Sequence, residues 1–140
     1  MKPLRELRPV FVVGIGFHRY QAPSDVPYTQ LGVTAVREAL ADSGLRWSDV
    51  EAAYTGTATT AMGMSRLMYR HLGSTGIPMA QVENASASGS TAVRQAAIAD
   101  DQSMRDPEQL DIVQHDPQAV LAVVEEDIEA GSTQLPVEFL

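Results

Sequence analysis

The sequence predicts an α/β domain in which strands and helices alternate around a mostly parallel sheet. Short apolar runs rich in β-branched residues alternate with longer stretches whose apolar residues recur at helical spacing. Turns rich in glycine and proline separate these elements. At 140 residues, the chain is long enough to bury one ordinary core without disulfides, which its lack of cysteine excludes.

The first two elements are a strand and a helix. Val10–Val13 is a short β-branched run that ends in a glycine turn, which predicts a buried strand. The helix is predicted over Tyr28–Ser43, where apolar residues form a broad stripe and Gly44 marks the end. We expect this helix to cover one face of the sheet.

The same alternation continues through the next four elements. Strands are predicted over Ala52–Thr57 and Met79–Glu83, and helices over Ala61–Leu72 and Ser88–Ala99. Strands joined in this way run parallel, so their carboxyl ends meet at the edge where open α/β sheets bind ligands. The small-residue loop 55–60 is expected at that edge, either as a ligand contact or as an ordinary turn.

The distribution of charge divides the chain into two segments. Residues 1–99 carry nine Lys and Arg against seven Asp and Glu, a net charge of +2. Residues 100–140 carry one Arg against eleven acids, a net charge of −10. Because this step follows directly after a predicted helix, we expect residues 1–99 to form the α/β unit and residues 100–140 to form a separate acidic segment.

Two helices are predicted in the acidic segment. Asp106-Pro107 and Asp116-Pro117 each place an N-cap residue before a proline at the first helical position. The second helix would run over Pro117–Ala130 and end at a glycine. The competing interpretation makes Ala119–Val124 a strand, and the agreement of the end signals favours the helix.

Composition also argues against several partners. The net charge of −8 at pH 7 disfavours nucleic acid and anionic membrane surfaces. No apolar run approaches the roughly 20 residues of a membrane span. The N-terminal MKPLRELRP lacks the apolar core of a signal peptide. A soluble cytoplasmic protein is therefore expected.

Neither a metal nor a bound cofactor is predicted. A dinucleotide-binding turn after the first strand would need a third glycine at the position of Arg19. No cysteine is available as a metal ligand, and the histidines lack the spacing of a metal site. These histidines are His18, His71 and His115.

The strongest chemical signal is the segment Val82–Ala92, VENASASGSTA. It connects a predicted strand to the helix that begins near Ser88, which places Ser86 at a helix N-terminus. Unpaired N–H groups at that position favour negative charge. A serine hydroxyl gains little from this placement and needs a neighbouring base to act as a nucleophile.

Three blocks in this order resemble the N-terminal half of thiolases, especially sterol-carrier-protein-type thiolases and related lipid-transfer-type proteins. The resemblance covers about Val10 to Ala97, close to two thirds of the chain. The blocks are VFVVGIGF, LGVTAVREALADSGLRWSDVEAAYTG and SRLMYRHLGSTGIPMAQVENASASGS. The resemblance therefore implies a thiolase-like α/β half-domain.

The resemblance also implies a site. Thiolases have a nucleophilic cysteine at the position of Ser86, where a coenzyme A thioester donates its acyl group for Claisen condensation or thiolysis. Ser86 is thus the candidate acyl acceptor, and Ser88 and Gly89 are candidates for binding the acyl-CoA substrate. The catalytic histidine, a second cysteine and much of the oxyanion hole come from the C-terminal half of thiolases, which this sequence lacks.

An incomplete site and an exposed sheet edge imply a partner. The resemblance thus predicts a homo-oligomer or hetero-oligomer through the sheet edge. The main functional hypothesis is an acyltransferase component that is weak or inactive alone. The alternatives are a non-catalytic module that binds acyl groups, lipids or proteins, and a truncated remnant.

Overall fold

Three parallel strands form the sheet in the computed structural model, which describes residues 9–19, 24–58, 60–103 and 119–124. The strand order is β2-β1-β3, which confirms the predicted α/β class and its parallel sheet. In chain order the elements are α1 (Tyr28–Ser43), a 3₁₀ turn (Trp47–Asp49), β1 (Val50–Gly56), α2 (Met64–Tyr69), β2 (Met79–Val82), α3 (Ser88–Ser103) and β3 (Ala119–Val124).

The strand register brings the carboxyl ends of all three strands together. Gly56, the last residue of β1, is paired with Val82 of β2 on one side and with Val124 of β3 on the other. The polypeptide leaves β2 at this edge and enters α3 six residues later. The turn that contains Ser86 therefore lies at the carboxyl edge of the sheet.

The predicted helix over Pro117–Ala130 is wrong for its central residues. Ala119–Val124 is a strand, as the competing interpretation held, and it pairs in parallel with β1. An apolar run next to an open strand edge gains a full ladder of hydrogen bonds, which outweighs local capping signals. The helix predicted after Asp106-Pro107 lies outside the described residues, and the division at residue 99 stays a prediction.

The predicted first strand, Val10–Val13, is also wrong. Residues 9–19 form neither helix nor strand, and the four side chains of Val10–Val13 are 53% to 79% exposed. β3 occupies one edge of β1 and β2 the other, so this segment has no place beside the central strand. Its backbone contacts α1 instead: Ile15 N donates to Asp42 Oδ2 at 2.9 Å, and Phe17 N donates to Glu38 Oε2 at 3.2 Å.

The main core lies between the first two helices and β1. Trp47 and Tyr69 stack with ring centroids 5.3 Å apart. The hydroxyls of Tyr69 and Thr55 are hydrogen-bonded at 2.7 Å, which satisfies two buried polar groups of the core. The buried cluster comprises Val33, Val36, Trp47, Val50, Ala53, Met68 and Tyr69.

α3 packs against β1 and β3 through small side chains. Gly56 marks the closest approach, since a Cβ atom at this residue would lie 2.6 Å from the carbonyl carbon and oxygen of Ser88. Ala92, Ala96 and Ala97 are buried along the same helix. Backbone therefore lies against backbone where α3 begins.

We predict that Gly56→Ala destabilises the fold by about 1 to 3 kcal/mol, because the new methyl group forces β1 and α3 apart. Urea unfolding measures the loss. The comparison variant is Gly44→Ala, at a left-handed position with φ 72° and no atom within 4 Å of the added Cβ. It carries only backbone strain of about 1 kcal/mol. A Gly56→Ala chain as stable as the unsubstituted one would contradict the close approach.

Stability should also depend on pH through Asp49. Side-chain hydrogen bonds from Arg46, at 2.6 and 3.1 Å, hold the pKa of Asp49 at about 2, below its ordinary value of 3.8. The ionised carboxylate thus stabilises the fold above about pH 4, and this contribution is lost as the pH falls towards 2. Thermal unfolding of Asp49→Asn should show a deficit at pH 6 that vanishes near pH 2. A deficit that is constant with pH would refute this linkage.

Candidate functional site

A strained turn connects β2 to α3. Ala85 has φ 46°, in the left-handed region that side chains other than glycine seldom adopt. Two backbone hydrogen bonds close the turn: Ala87 N donates to Asn84 O at 2.9 Å, and Ser88 N donates to Ala85 O at 3.1 Å. Ser86, the residue after Ala85, is exposed at this bend.

Side chains hold this turn in place. The buried Ser88 hydroxyl accepts from Asn84 N at 2.7 Å and donates to Ala85 O at 2.8 Å. Asn84 Nδ2 donates to Thr91 Oγ1 at 2.9 Å, and Ala85 N donates to Glu83 Oε1 at 2.8 Å. Strain at one residue persists only where its surroundings fix it, and these bonds supply that constraint.

Ser86 lies at the strand-to-helix turn that the sequence predicts, two residues before α3. Its side chain is exposed, and its hydroxyl has no hydrogen-bond partner among the described residues. It is therefore accessible to a ligand. Its role as an acyl acceptor stays a prediction.

No histidine is hydrogen-bonded to Ser86 in the described part of the chain. His18 Nδ1 is 2.9 Å from the backbone oxygen of Arg19. His71 lies in the segment that precedes Met79, at the amino end of β2, whereas Ser86 follows its carboxyl end. His115 lies outside the described residues. No histidine among the described residues is therefore positioned by a hydrogen bond as a base for Ser86.

Ser88 and Gly89, the two residues predicted to bind the substrate, are buried beneath the turn. The Ser88 hydroxyl is used within the turn itself, and both residues face Gly56 of β1. Ser88 and Gly89 therefore support the backbone of the turn that carries Ser86. Direct contact of either residue with an acyl-CoA ligand stays a prediction.

The loop after β1 contributes a polar group that sequence reasoning did not single out. Thr57 is 1% exposed, and its Oγ1 has no hydrogen-bond partner among the described residues. Its backbone N donates to Val82 O at 2.9 Å, which places it at the same edge of the sheet as the Ser86 turn. Small residues marked the loop 55–60 as a possible ligand contact, but burial of one hydroxyl depends on neighbours distant in sequence.

Gln81 is a second residue that the sequence did not reveal. Its Oε1 accepts from the backbone N and from the hydroxyl of Ser65, each at 3.2 Å. Its Nε2 donates to Ala61 O at 3.2 Å. Gln81 thus ties the start of α2 to β2, beside the carboxyl edge.

The described residues contain neither a candidate metal cluster nor a candidate membrane span. Within these ranges, no cluster of three His, Asp or Glu side chains could hold a metal ion. No helix in the same ranges has both the length and the apolar character required to cross a membrane.

Several known proteins are similar to this chain, although no protein-family model matches it. Sterol carrier protein 2 of Gallus gallus is 43% identical over 90 residues, which cover 61% of this chain and 16% of that protein. The Homo sapiens protein is 39% identical over 92 residues, with coverages of 62% and 17%. An acetyl-CoA acetyltransferase of Methanothermobacter thermautotrophicus is 31% identical over 98 residues, with coverages of 66% and 26%. The chain thus spans about one sixth of the sterol carrier proteins.

Two solved structures are also similar to this chain over about two thirds of its length. The priming β-ketosynthase from the R1128 polyketide biosynthetic pathway superposes with a TM-score of 0.56 at 18% identity, over 64% of this chain and 37% of that one. An Ltp2-ChsH2(DUF35) aldolase gives a TM-score of 0.54 at 31% identity, over 66% and 24%. The first supports the fold alone. Together the comparisons confirm the resemblance to thiolase-superfamily proteins of the sterol-carrier-protein type.

Ser88→Ala should lower the free energy of unfolding by about 1 to 2 kcal/mol, since it removes two hydrogen bonds that fix the turn. Urea unfolding tests this prediction. The matched control is Ser90→Ala, an exposed serine on the same helix with one bond to Ala87 O. Its expected effect is below about 0.5 kcal/mol. Equal losses in the two variants would contradict a special role for Ser88.

Proposed function

We propose that this chain, a thiolase-superfamily segment of the sterol-carrier-protein type over about 60% of its length, is an acyltransferase component that acts on coenzyme A thioesters. The observation that carries the proposal is the exposed, unengaged hydroxyl of Ser86 on a strained turn before α3. The relative named as an acetyl-CoA acetyltransferase supports this substrate class. Ser86 takes the place of the thiolase cysteine.

The proposed step is acyl transfer to Ser86. The Oγ atom attacks the thioester carbonyl, a C–O bond forms, and the C–S bond breaks. The serine proton passes to a base, and coenzyme A leaves as a thiolate that takes up a proton. An acyl-serine intermediate of this kind requires a base and an oxyanion hole.

A second chain is proposed to supply those groups. No described residue is hydrogen-bonded to the Ser86 hydroxyl as a base, and the chain spans about one sixth of its sterol carrier relatives. The name of one structural neighbour, Ltp2-ChsH2(DUF35) aldolase, joins two components, which supports assembly with a partner. Transfer of the acyl group to Ser86 is therefore proposed to require contact with this partner.

The second candidate function is a module that binds acyl groups without transferring them. It is favoured by the lack of a base hydrogen-bonded to Ser86 among the described residues and by serine in place of cysteine. In this case acetyl-CoA binds equally to the unsubstituted chain and to Ser86→Ala, and neither forms an adduct. Calorimetry together with intact-mass measurement distinguishes this candidate from the first.

The acyl-acceptor position can be tested with single thiols, because the chain contains no cysteine. We expect Ser86→Cys to be acetylated by acetyl-CoA about tenfold faster at pH 7 than Gln95→Cys in the middle of α3, because a helix N-terminus lowers a thiol pKa by about one unit or more. Intact mass gives both rates. Gln95 is also exposed, but it lies beyond the first turn of α3, so accessibility is matched while the effect of the helix N-terminus is absent.

The unsubstituted chain should form the adduct far more slowly, and Ser86→Ala should form none. Equal acetylation of Ser86→Cys and Gln95→Cys would overturn Ser86 as a prepared acyl-acceptor position. An adduct on the unsubstituted chain that persists in Ser86→Ala would place the reactive group elsewhere.

A further inference from the structure

A cleft of about 310 Å³ lies at the amino end of β2. It is lined by Arg66 and Arg70, by residues of the 73–76 turn, and by Ile77 and Met79. Met79 begins β2, whereas Ser86 follows its other end, and a strand of this length spans about 10 Å. The cleft is therefore separate from the Ser86 turn.

Two unpaired cations line this cleft. Arg66 and Arg70 are four residues apart, which places them on the same side of α2 and its last turn. Both are exposed, and neither is hydrogen-bonded or ion-paired through its side chain within the described residues. The described lining contains no Asp or Glu. Like charges at this spacing repel, so a bound anion would relieve the repulsion.

Contacts with the core and with α1 fix the wall of the cleft and the residues just before it. Trp47 Nε1 donates to Gly73 O at 3.0 Å, and Arg37 donates from its guanidinium to His71 O at 3.3 Å. Gly73 and Gly76 have φ values of 117° and 77°, so glycine is required for the bends of the turn. The cleft is thus formed before a ligand arrives, which lowers the cost of binding.

The floor of the cleft is apolar. Ile77 and Met79 are half-buried and pack against the core cluster. Arginines at the rim and an apolar floor suit a ligand that has a charged head and an uncharged organic part.

We infer that this cleft binds a soluble phosphate monoester. The phosphate lies between Arg66 and Arg70, and the organic substituent rests on Ile77 and Met79. Two guanidinium groups match the charge of a phosphate dianion, and the fork of each can donate two hydrogen bonds to its oxygens. This binding does not depend on chemistry at Ser86.

Phenyl phosphate and inorganic phosphate serve as probes in a titration of the full chain. Trp47 is the single tryptophan and is bonded to the cleft wall, so its fluorescence can report binding, with calorimetry as a second readout. Phenyl phosphate should bind more tightly than phosphate. Arg66→Gln and Arg70→Gln should each weaken it about tenfold or more, the scale of a lost charge-assisted hydrogen bond.

The matched controls are Arg19→Gln, an exposed arginine that does not line the cleft, and Ser86→Ala, and both should retain full affinity. The inference is overturned if phenyl phosphate does not bind, if it binds no better than phosphate, or if Arg66→Gln and Arg70→Gln behave like Arg19→Gln. The chain can also be sedimented with vesicles that contain phosphatidic acid. If it binds these vesicles and phenyl phosphate does not release it, a soluble phosphate monoester is overturned as the ligand.

Discussion

The contact between the end of β1 and the start of α3 fixes the geometry of the candidate site. With no side chain at Gly56, the strand can approach the Ser88 backbone directly. This approach places the first turn of α3 at the carboxyl edge of the sheet, and the Ser88 hydroxyl then ties the preceding residues to the helix. The left-handed conformation of Ala85 and the exposure of Ser86 both follow from this constraint.

The central position of β1 explains how the rest of the described fold is assembled. β2 pairs with one edge of β1, and β3 pairs with the other. Because β3 belongs to the acidic segment, that segment covers a strand edge where the sequence predicts a partner. β2 in turn has a different environment at each end. Its carboxyl end leads to the Ser86 turn, and its amino end contributes Met79 to the arginine-lined cleft. Two sites with different chemistry can therefore coexist on a small sheet.

The sequence predicts an element correctly where residues within that element and next to it determine its ends. The helix over Tyr28–Ser43 has the predicted bounds, because its apolar stripe and Gly44 act within a few turns. Val10–Val13 and Ala119–Val124 were assigned wrongly because both are short apolar runs, and the choice of which one pairs with β1 is a tertiary property. The Ser86 turn was identified through family resemblance. The buried hydroxyl of Thr57 and the cleft beside Arg70 arise from contacts between distant segments, which a single sequence does not specify.

The central claim is that the fold prepares position 86 to carry a developing negative charge. The pKa of the single thiol in Ser86→Cys, measured from the pH dependence of its alkylation, tests this claim most directly. A pKa clearly below the ordinary thiol value of about 8.5 is the predicted result. A pKa of about 8.5 or higher would show that the turn gives no electrostatic advantage, and the account of Ser86 as an acyl-acceptor position would be contradicted.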